Sequence, residues 1–296
     1  MDTRLYLEIG NIVLPVFLIV GLGFLFGKIY RLSLTPINDL VIYVFTPCLM
    51  ISSLSGDPIE VGLVGKVFAS VILISGGSLL VGYLIIRALH YPIRVYLPPV
   101  AFANTGNMGL PLVLFAFGDE GLRVGILYMV GMTIVHFTAG IAILSYRESR
   151  LEVLKLPLIY AAVLGIAISL LGWQIPTPLD RSIDLLGQAT IPIMIFALGY
   201  KLSEITLHEA ERSFLFGGLR IGVGFLLGLL SVYVFGLRGV SSGVVMMDSA
   251  MPPAVFNFVL AEKYKQNSKV VASIIMAGTL LSLITTPIII AFLLRK

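Results

Sequence analysis

Charge is scarce in this sequence. Only 12% of its 296 residues are Asp, Glu, Lys or Arg, against about 25% in a soluble domain, which excludes an ordinary water-soluble fold. Cysteine is scarcer still. Cys48 stands alone, so no intrachain disulfide and no cysteine-based metal cluster can be built. With three His in the chain there is no Cys/His metal site, and no phosphate-binding P-loop, HExxH or GxSxG occurs. No nucleophile–base or metal constellation is left from which to assemble an enzyme, and no cofactor is expected. A transmembrane barrel would alternate apolar and polar residues in segments of roughly ten; here the apolar runs are continuous and about twice as long.

What the chain has in abundance is apolar length. It is 58% hydrophobic with a mean hydropathy of +1.01, the composition of an all-α polytopic membrane protein. The net charge of +4 is a modest basic excess that suits a membrane protein and gives no reason to expect nucleic acid. The first apolar run follows Asp2, Arg4 and Glu8 and shows no small-residue cleavage site before Lys28, so it is expected to be a span and not a removed signal. A span takes about 20 mostly apolar residues. Ten candidates emerge, at 9–29, 36–55, 64–88, 95–117, 121–146, 152–172, 179–200, 212–236, 240–261 and 269–294. Short polar connections such as YRESR (146–150) and SEITLHEAER (203–212) leave no room for a soluble domain.

Ten spans put both termini on one side. The odd-numbered loops carry Lys28, Arg31, Arg87, Arg94, Arg147, Arg150, Lys155, Lys201, Arg212, Lys263, Lys265 and Lys269, twelve in all. The terminal side carries seven: Arg4, Lys66, Arg123, Arg181, Arg238, Arg295 and Lys296. The excess places the odd loops in the cytoplasm and both termini outside the cell membrane.

The interruptions repeat. Span 2 carries VFTPCLM with Pro47, and span 7 carries ATIPIMI with Pro192. Span 4 carries FANTGNMGLPL (102–112), and span 9 carries MDSAMPPAVFNFVLAEKY (247–264). Five spans per half, an odd number, insert the halves in opposite orientations. That is the sign of an inverted-topology repeat, in which broken helices at matching positions point to the binding site. A single Pro or Gly in a membrane helix is common and carries little information; a matched pair of polar interruptions carries much more. The halves divide as 1–148 and 149–296.

At about 1.5 Å per residue, Asn104 lies roughly 14 Å into span 4. Gly106 and Gly109 permit unwinding, and Pro111 suits the first turn of a new helix, where its missing N–H costs nothing. Asn104, Thr105 and Asn107 supply polar groups where water is absent. In span 9, Met251, Pro252 and Pro253 lie about 18 Å in; the two prolines end the helix, and Asn257 falls in the first turns of the next. Both second half-helices then begin near the midplane and present positive dipole ends to it, which favours an anionic group. The exposed carbonyls of the first half-helices remain available to a small cation, Na+ or H+ being the coupling ions considered.

Two charges lie inside spans. Arg220 is roughly 12 Å into span 8 and Asp248 lies at a similar depth in span 9, within reach of pairing. Arg220 can alternatively snorkel to the near interface; Asp248 is too short to do so and is the candidate for coupling to a cation or proton. His136 sits between Thr133 and Thr138 in span 5 and is expected to be a packing residue. Tyr43, Thr46 and Pro47 are candidates to line a cavity. Gly23-x-x-x-Gly27, Gly218-x-x-x-Gly222 and Gly224-x-x-x-Gly228 are expected to mark close helix packing.

NTGNMGLPL (104–112) together with MPPAVFNFVLAEKY (251–264) resembles the auxin efflux carrier family, which includes plant auxin carriers and prokaryotic proteins labelled malate or malonate permeases. The resemblance runs over the whole chain. It implies a five-plus-five inverted repeat with broken, crossing helices 4 and 9, as in bile acid sodium symporters and sodium/proton antiporters. It also implies a scaffold from 9–55 and 152–200 that forms a homodimer, and a moving transport domain from 64–146 and 212–294. By the same resemblance, Asn104, Asn107, Pro252 and Pro253 line the substrate site. The chain departs from the plant carriers in its short central loop and in Asp248, where a neutral polar residue is expected, so auxin itself does not follow. It also lacks the mid-membrane Asp-Asp pair of the antiporters. The expected function is secondary transport of a small organic anion by an elevator-type movement. The alternatives are a sodium- or proton-coupled symporter of a bile-acid-like amphiphile, and a membrane sensor that binds without transporting.

Overall fold

A computed structural model describes residues 3–56, 60–145 and 154–294. The expected boundary at 148/149 and the YRESR loop lie outside these residues. Among the described residues seven stretches are long and apolar enough to cross a membrane: Arg4–Ile29, Thr35–Ser55, Val61–Ala88, Thr105–Leu144, Thr177–Glu204, Ala210–Phe235 and Ser268–Leu294. Pro157–Leu171 is equally apolar but shorter.

The helices are α1 (Thr3–Ile29), α2 (Thr35–Leu40), α3 (Thr46–Ser55), α4 (Val61–Ala88), α5 (Ile93–Ala101), α6 (Leu110–Val135), α7 (Ile141–Leu144), α8 (Pro157–Leu171), α9 (Thr177–Gln188), α10 (Thr190–Glu204), α11 (Ala210–Phe235), α12 (Gly239–Ser249), α13 (Phe256–Lys263) and α14 (Ser268–Leu294). Three π-helical turns, Val41–Phe45, Thr105–Gly109 and His136–Gly140, lie between them. Among the described residues the sole β element is a single antiparallel bridge between Ala103 and Pro253.

The longest apolar stretch does not run straight. At Gly118 the backbone takes φ 63°, ψ −154°, a conformation open to glycine because it lacks Cβ. The chain doubles back there, laying Leu110 and Val113 against Gly125. Pro47 stands at the start of α3, directly after a π turn, and Pro192 stands near the start of α10, after a kink at Ala189. Each proline thus sits where a new helical segment begins and its missing N–H is not needed.

Helices α1 and α10 pack closely, as do α3 and α8. A Cβ at Gly23 would strike the Phe196 carbonyl, and one at Gly199 would strike the Val20 carbonyl, so both backbones approach without side chains between them. On α11, Gly224 likewise meets the Ser249 carbonyl at the end of α12, and Gly228 meets the small Ser249 side chain. Gly218 and Gly222 differ from expectation. Gly222 faces open space and Gly218 meets no more than Leu281 at ordinary contact distance, because they lie on the other side of α11 from that interface. Helix α4 packs on α5 and α11, α12 on α6 and α11, and α14 on α11.

Candidate functional site: the crossing of two broken helices

Helix α5 ends at Ala101, and Phe102 is extended, with φ −110° and ψ 119°. Helix α12 ends at Ser249. Two extended segments follow these ends and pair: the Asn104 N–H donates to the Pro252 carbonyl at 2.8 Å, and the Ala254 N–H donates to the Phe102 carbonyl at 3.0 Å. These bonds satisfy backbone groups that the breaks would otherwise leave bare in an apolar interior. The side-chain amide of Asn257 reaches the Phe102 carbonyl at 3.5 Å. Four helix ends therefore meet at one place: the C-terminal ends of α5 and α12, and the N-terminal ends of the Thr105–Gly109 turn leading into α6 and of α13.

Arg220 serves the C-terminal ends. It is fully buried and does not snorkel. Nη2 donates to the Ser249 carbonyl at 2.6 Å and Nε to the Met251 carbonyl at 3.3 Å. Nη1 reaches the carbonyls of Val100 and Ala101 at 3.4 Å and the Ser78 hydroxyl at 3.3 Å. Each helix end carries about half a negative charge, so two ends offer about one, which the guanidinium balances. This is also where the small cation was placed by sequence reasoning. The carbonyls are there, but a side chain of the protein holds them.

Asp248 serves the other side. It too is fully buried. Its carboxyl lies against Gly109, where a Cβ would collide with Oδ1, and Thr105 adjoins the same spot. Neither carboxyl oxygen has a hydrogen-bond partner. The pairing of Arg220 with Asp248, expected from their similar depths, is not formed: the guanidinium is turned to the carbonyl ends, and the carboxyl is turned to the start of α6. Tyr128 of α6 is within electrostatic reach of Asp248, and its buried hydroxyl is also without a partner.

The remaining predicted residues fall as follows. Asn104 and Thr105 are buried, and Asn104 Nδ2 has no partner. Gly106 and Asn107 are half-exposed in an otherwise closed segment. Met194 of α10 and Met129 of α6 close on Gly106. Pro111 stands in the first turn of α6. Met251, Pro252 and Pro253 are buried in the crossing itself, while Val255 and Phe256 just beyond are half-exposed. Asn257 is buried with Oδ1 unpartnered. Thr46 is buried at the start of α3, which packs along α6, whereas Tyr43 is exposed.

His136 is buried and packed, as expected, and the place where it packs is the crossing. Its ring stacks on Phe102 at 4.2 Å and meets Phe256 edge-on at 5.7 Å, and its Nε2 has no partner. Both rings belong to the interruptions, so the hint in sequence was that each break carries a Phe. Beyond Asn257, next to Phe258, a cavity of about 260 Å³ is lined by Lys201, Glu204, His208 and Lys269 among others. The Lys201 ammonium sits 4.6 Å over the Phe258 ring.

Residues 9–155 and 145–290 match the family model described as membrane transport protein. An uncharacterized transporter of Methanothermobacter thermautotrophicus is 29% identical over 295 residues, covering 93% of this chain and 95% of its own. A Rhizobium meliloti protein named "Putative malonate transporter" is 25% identical over 306 residues, covering 94% and 93%. Auxin efflux carrier component 1 of Arabidopsis thaliana is 28% identical over 139 residues, covering 45% of this chain and 22% of its own. The chain belongs to the membrane transport protein family, that of the auxin efflux carriers, and is a membrane transporter.

Proposed function

We propose that the protein is a secondary transporter of a small organic anion, a carboxylate, bound where the two broken helices cross. The observation that carries this reading is the convergence of two helix N-termini on a place with an unpartnered, buried amide at Asn104 and a half-exposed turn at Gly106 and Asn107. Free N–H groups and a positive dipole end hold an anion without a full countercharge, and the side-chain amides add directional donors. The cavity beside Phe258, with two Lys against one Glu, would attract an anion toward α13. The Rhizobium relative's printed name supports a dicarboxylate as the first substrate to try.

On this reading the chain is a five-plus-five inverted repeat of ten spans. Helices α1–α3 and α8–α10 form a dimeric scaffold in the cell membrane, and the segments 64–146 and 212–294 move against it to alternate access. Both termini face outward, and the Phe258 cavity is on the cytoplasmic side. The close pairing of α1 with α10 and of α3 with α8 suits such a two-fold relation, because each joins the first span of one half to the second span of the other. The test is counterflow of radiolabelled malonate into proteoliposomes. Saturable exchange is expected, and it should be lost in Asn107→Ala while the variant stays folded. Undiminished exchange by Asn107→Ala would place the site elsewhere. Binding without exchange would identify a sensor.

A further inference from the structure

The geometry points to Asp248 as the proton-carrying group of the transport cycle, with Arg220 as a built-in cation in the position a coupling metal ion would need. This rests on the organic-anion reading above and names its coupling ion.

The reasoning is a charge count at the crossing. Two C-terminal ends contribute about one negative charge, and Arg220 supplies one positive charge through its contacts with Val100, Ala101, Ser249 and Met251. Arginine does not give up its proton in proteins, so this half of the crossing is permanently balanced and its carbonyls are occupied. A sodium ion, which would seek those carbonyls, has no free set there. The two N-terminal ends contribute about one positive charge. They can balance one anion. Asp248, lying against Gly109 at the start of α6, is a resident candidate; a singly charged substrate carboxylate, such as hydrogen malonate, at Gly106 and Asn107 within the same π turn is the other. Both at once would place two negative charges on one balancing charge in an apolar interior, where a carboxylate without hydrogen bonds is strongly disfavoured. One must be neutral. The substrate therefore binds when Asp248 carries a proton, and the proton is released to water when the substrate has left and the N-terminal ends are again unoccupied.

His136, the other buried titratable side chain at the crossing, is engaged by the rings of Phe102 and Phe256. Of the elements packed on α12, α6 presents Tyr128 and α11 presents Arg220 at the crossing; Asp119 and Glu120 of α6 and Glu211, Arg212 and Tyr233 of α11 are exposed, and Arg123 stands half-buried five residues beyond the Gly118 bend. The Thr105–Gly109 turn has no titratable side chain. Lys66, Tyr83 and Arg87 of α4 and Lys269 of α14 are exposed, away from the crossing. Among the described residues no group of three or more His, Cys, Asp or Glu is placed to hold a metal ion.

By reciprocity, a proton that favours the anion is itself favoured by the anion. One coupled proton changes malonate affinity by at most about tenfold per pH unit, and binding weakens as pH rises. The experiment uses the purified full chain in lipid nanodiscs and proteoliposomes, with malonate as probe. Wild type is expected to show this slope, equal binding in sodium and potassium chloride, and accumulation of malonate driven by an inward proton gradient. Asp248→Asn, a fixed stand-in for the protonated form, should bind with no slope beyond malonate's own titration and retain counterflow, yet lose gradient-driven accumulation. Asp248→Glu should restore it. A merely structural carboxyl would not separate exchange from accumulation in this way. An unchanged slope in Asp248→Asn, or tighter binding in sodium than in potassium, would overturn the assignment. Infrared difference spectra across a pH jump give a readout that needs no substrate. A protonated-carboxyl band that vanishes in Asp248→Asn supports the proposal even if malonate proves the wrong anion, and its absence from wild type at every pH contradicts it.

Discussion

The two halves of the crossing are built on opposite plans. On the carbonyl side every need is met from within, since one buried guanidinium reaches both helix C-termini and Ser78. On the N–H side the polar atoms are left wanting. Asn104 Nδ2 and both oxygens of Asp248 are buried without partners. Buried polar groups in folded proteins are nearly always paired, so a cluster that is not marks a place kept for something that comes and goes. On the proposed transport cycle, the saturated half fixes the geometry and the unsaturated half is where binding changes the energy.

Substitutions can break that contrast. The largest effect is expected from Arg220→Met, which strips the shared donor from four buried carbonyls. Losing one partner of a buried charged network costs about 3–5 kcal/mol, to be read as a lowered midpoint of thermal or denaturant unfolding in detergent. Next comes Gly109→Ala, whose methyl group would enter the space held by the Asp248 carboxyl. Overpacking there costs about 1–3 kcal/mol, and malonate counterflow should fall with it. Asn104→Ala acts on the unsaturated side, so its expected signature is reversed. Removing a donor that waits for an anion should weaken malonate binding by about 1–3 kcal/mol, roughly five- to 150-fold, with the unfolding midpoint nearly unmoved. The smallest effect belongs to Gly222→Ala, which meets no atom within 4 Å. Relief of glycine's backbone freedom would raise stability by up to about 1 kcal/mol, seen as a slightly higher midpoint with counterflow unchanged.

The breaks were legible because Asn, Gly and Pro at membrane depth conflict with a continuous helix, and that conflict needs no partner to be seen. Long-range facts were not. Nothing local tells that Ala103 and Pro253, far apart in the chain, bridge one another. Depth along a helix axis placed Arg220 and Asp248 at one level but gave no azimuth, so it suggested a pair where the side chains turn to opposite helix ends. The snorkelling alternative for Arg220 failed for the same reason, since a long side chain can follow carbonyls inward as readily as water outward. His136 does pack, as expected, but where it packs was hidden, because its partners, Phe102 and Phe256, lie in the two interruptions and meet it through the fold alone. The GxxxG patterns separated by face: Gly23 and Gly224 meet a neighbouring backbone and Gly27 and Gly228 a small serine, while Gly218 and Gly222 meet no such close neighbour.

The central claim is that a carboxylate binds at the Asn104–Asn107 turn and is carried across the membrane from there. The most direct measurement is malonate counterflow in proteoliposomes by wild type and Asn107→Ala at matched amounts of folded protein. Saturable exchange by wild type, reduced about tenfold or more in the variant with an unchanged unfolding midpoint, is the predicted result. Equal exchange by the two proteins would contradict the site.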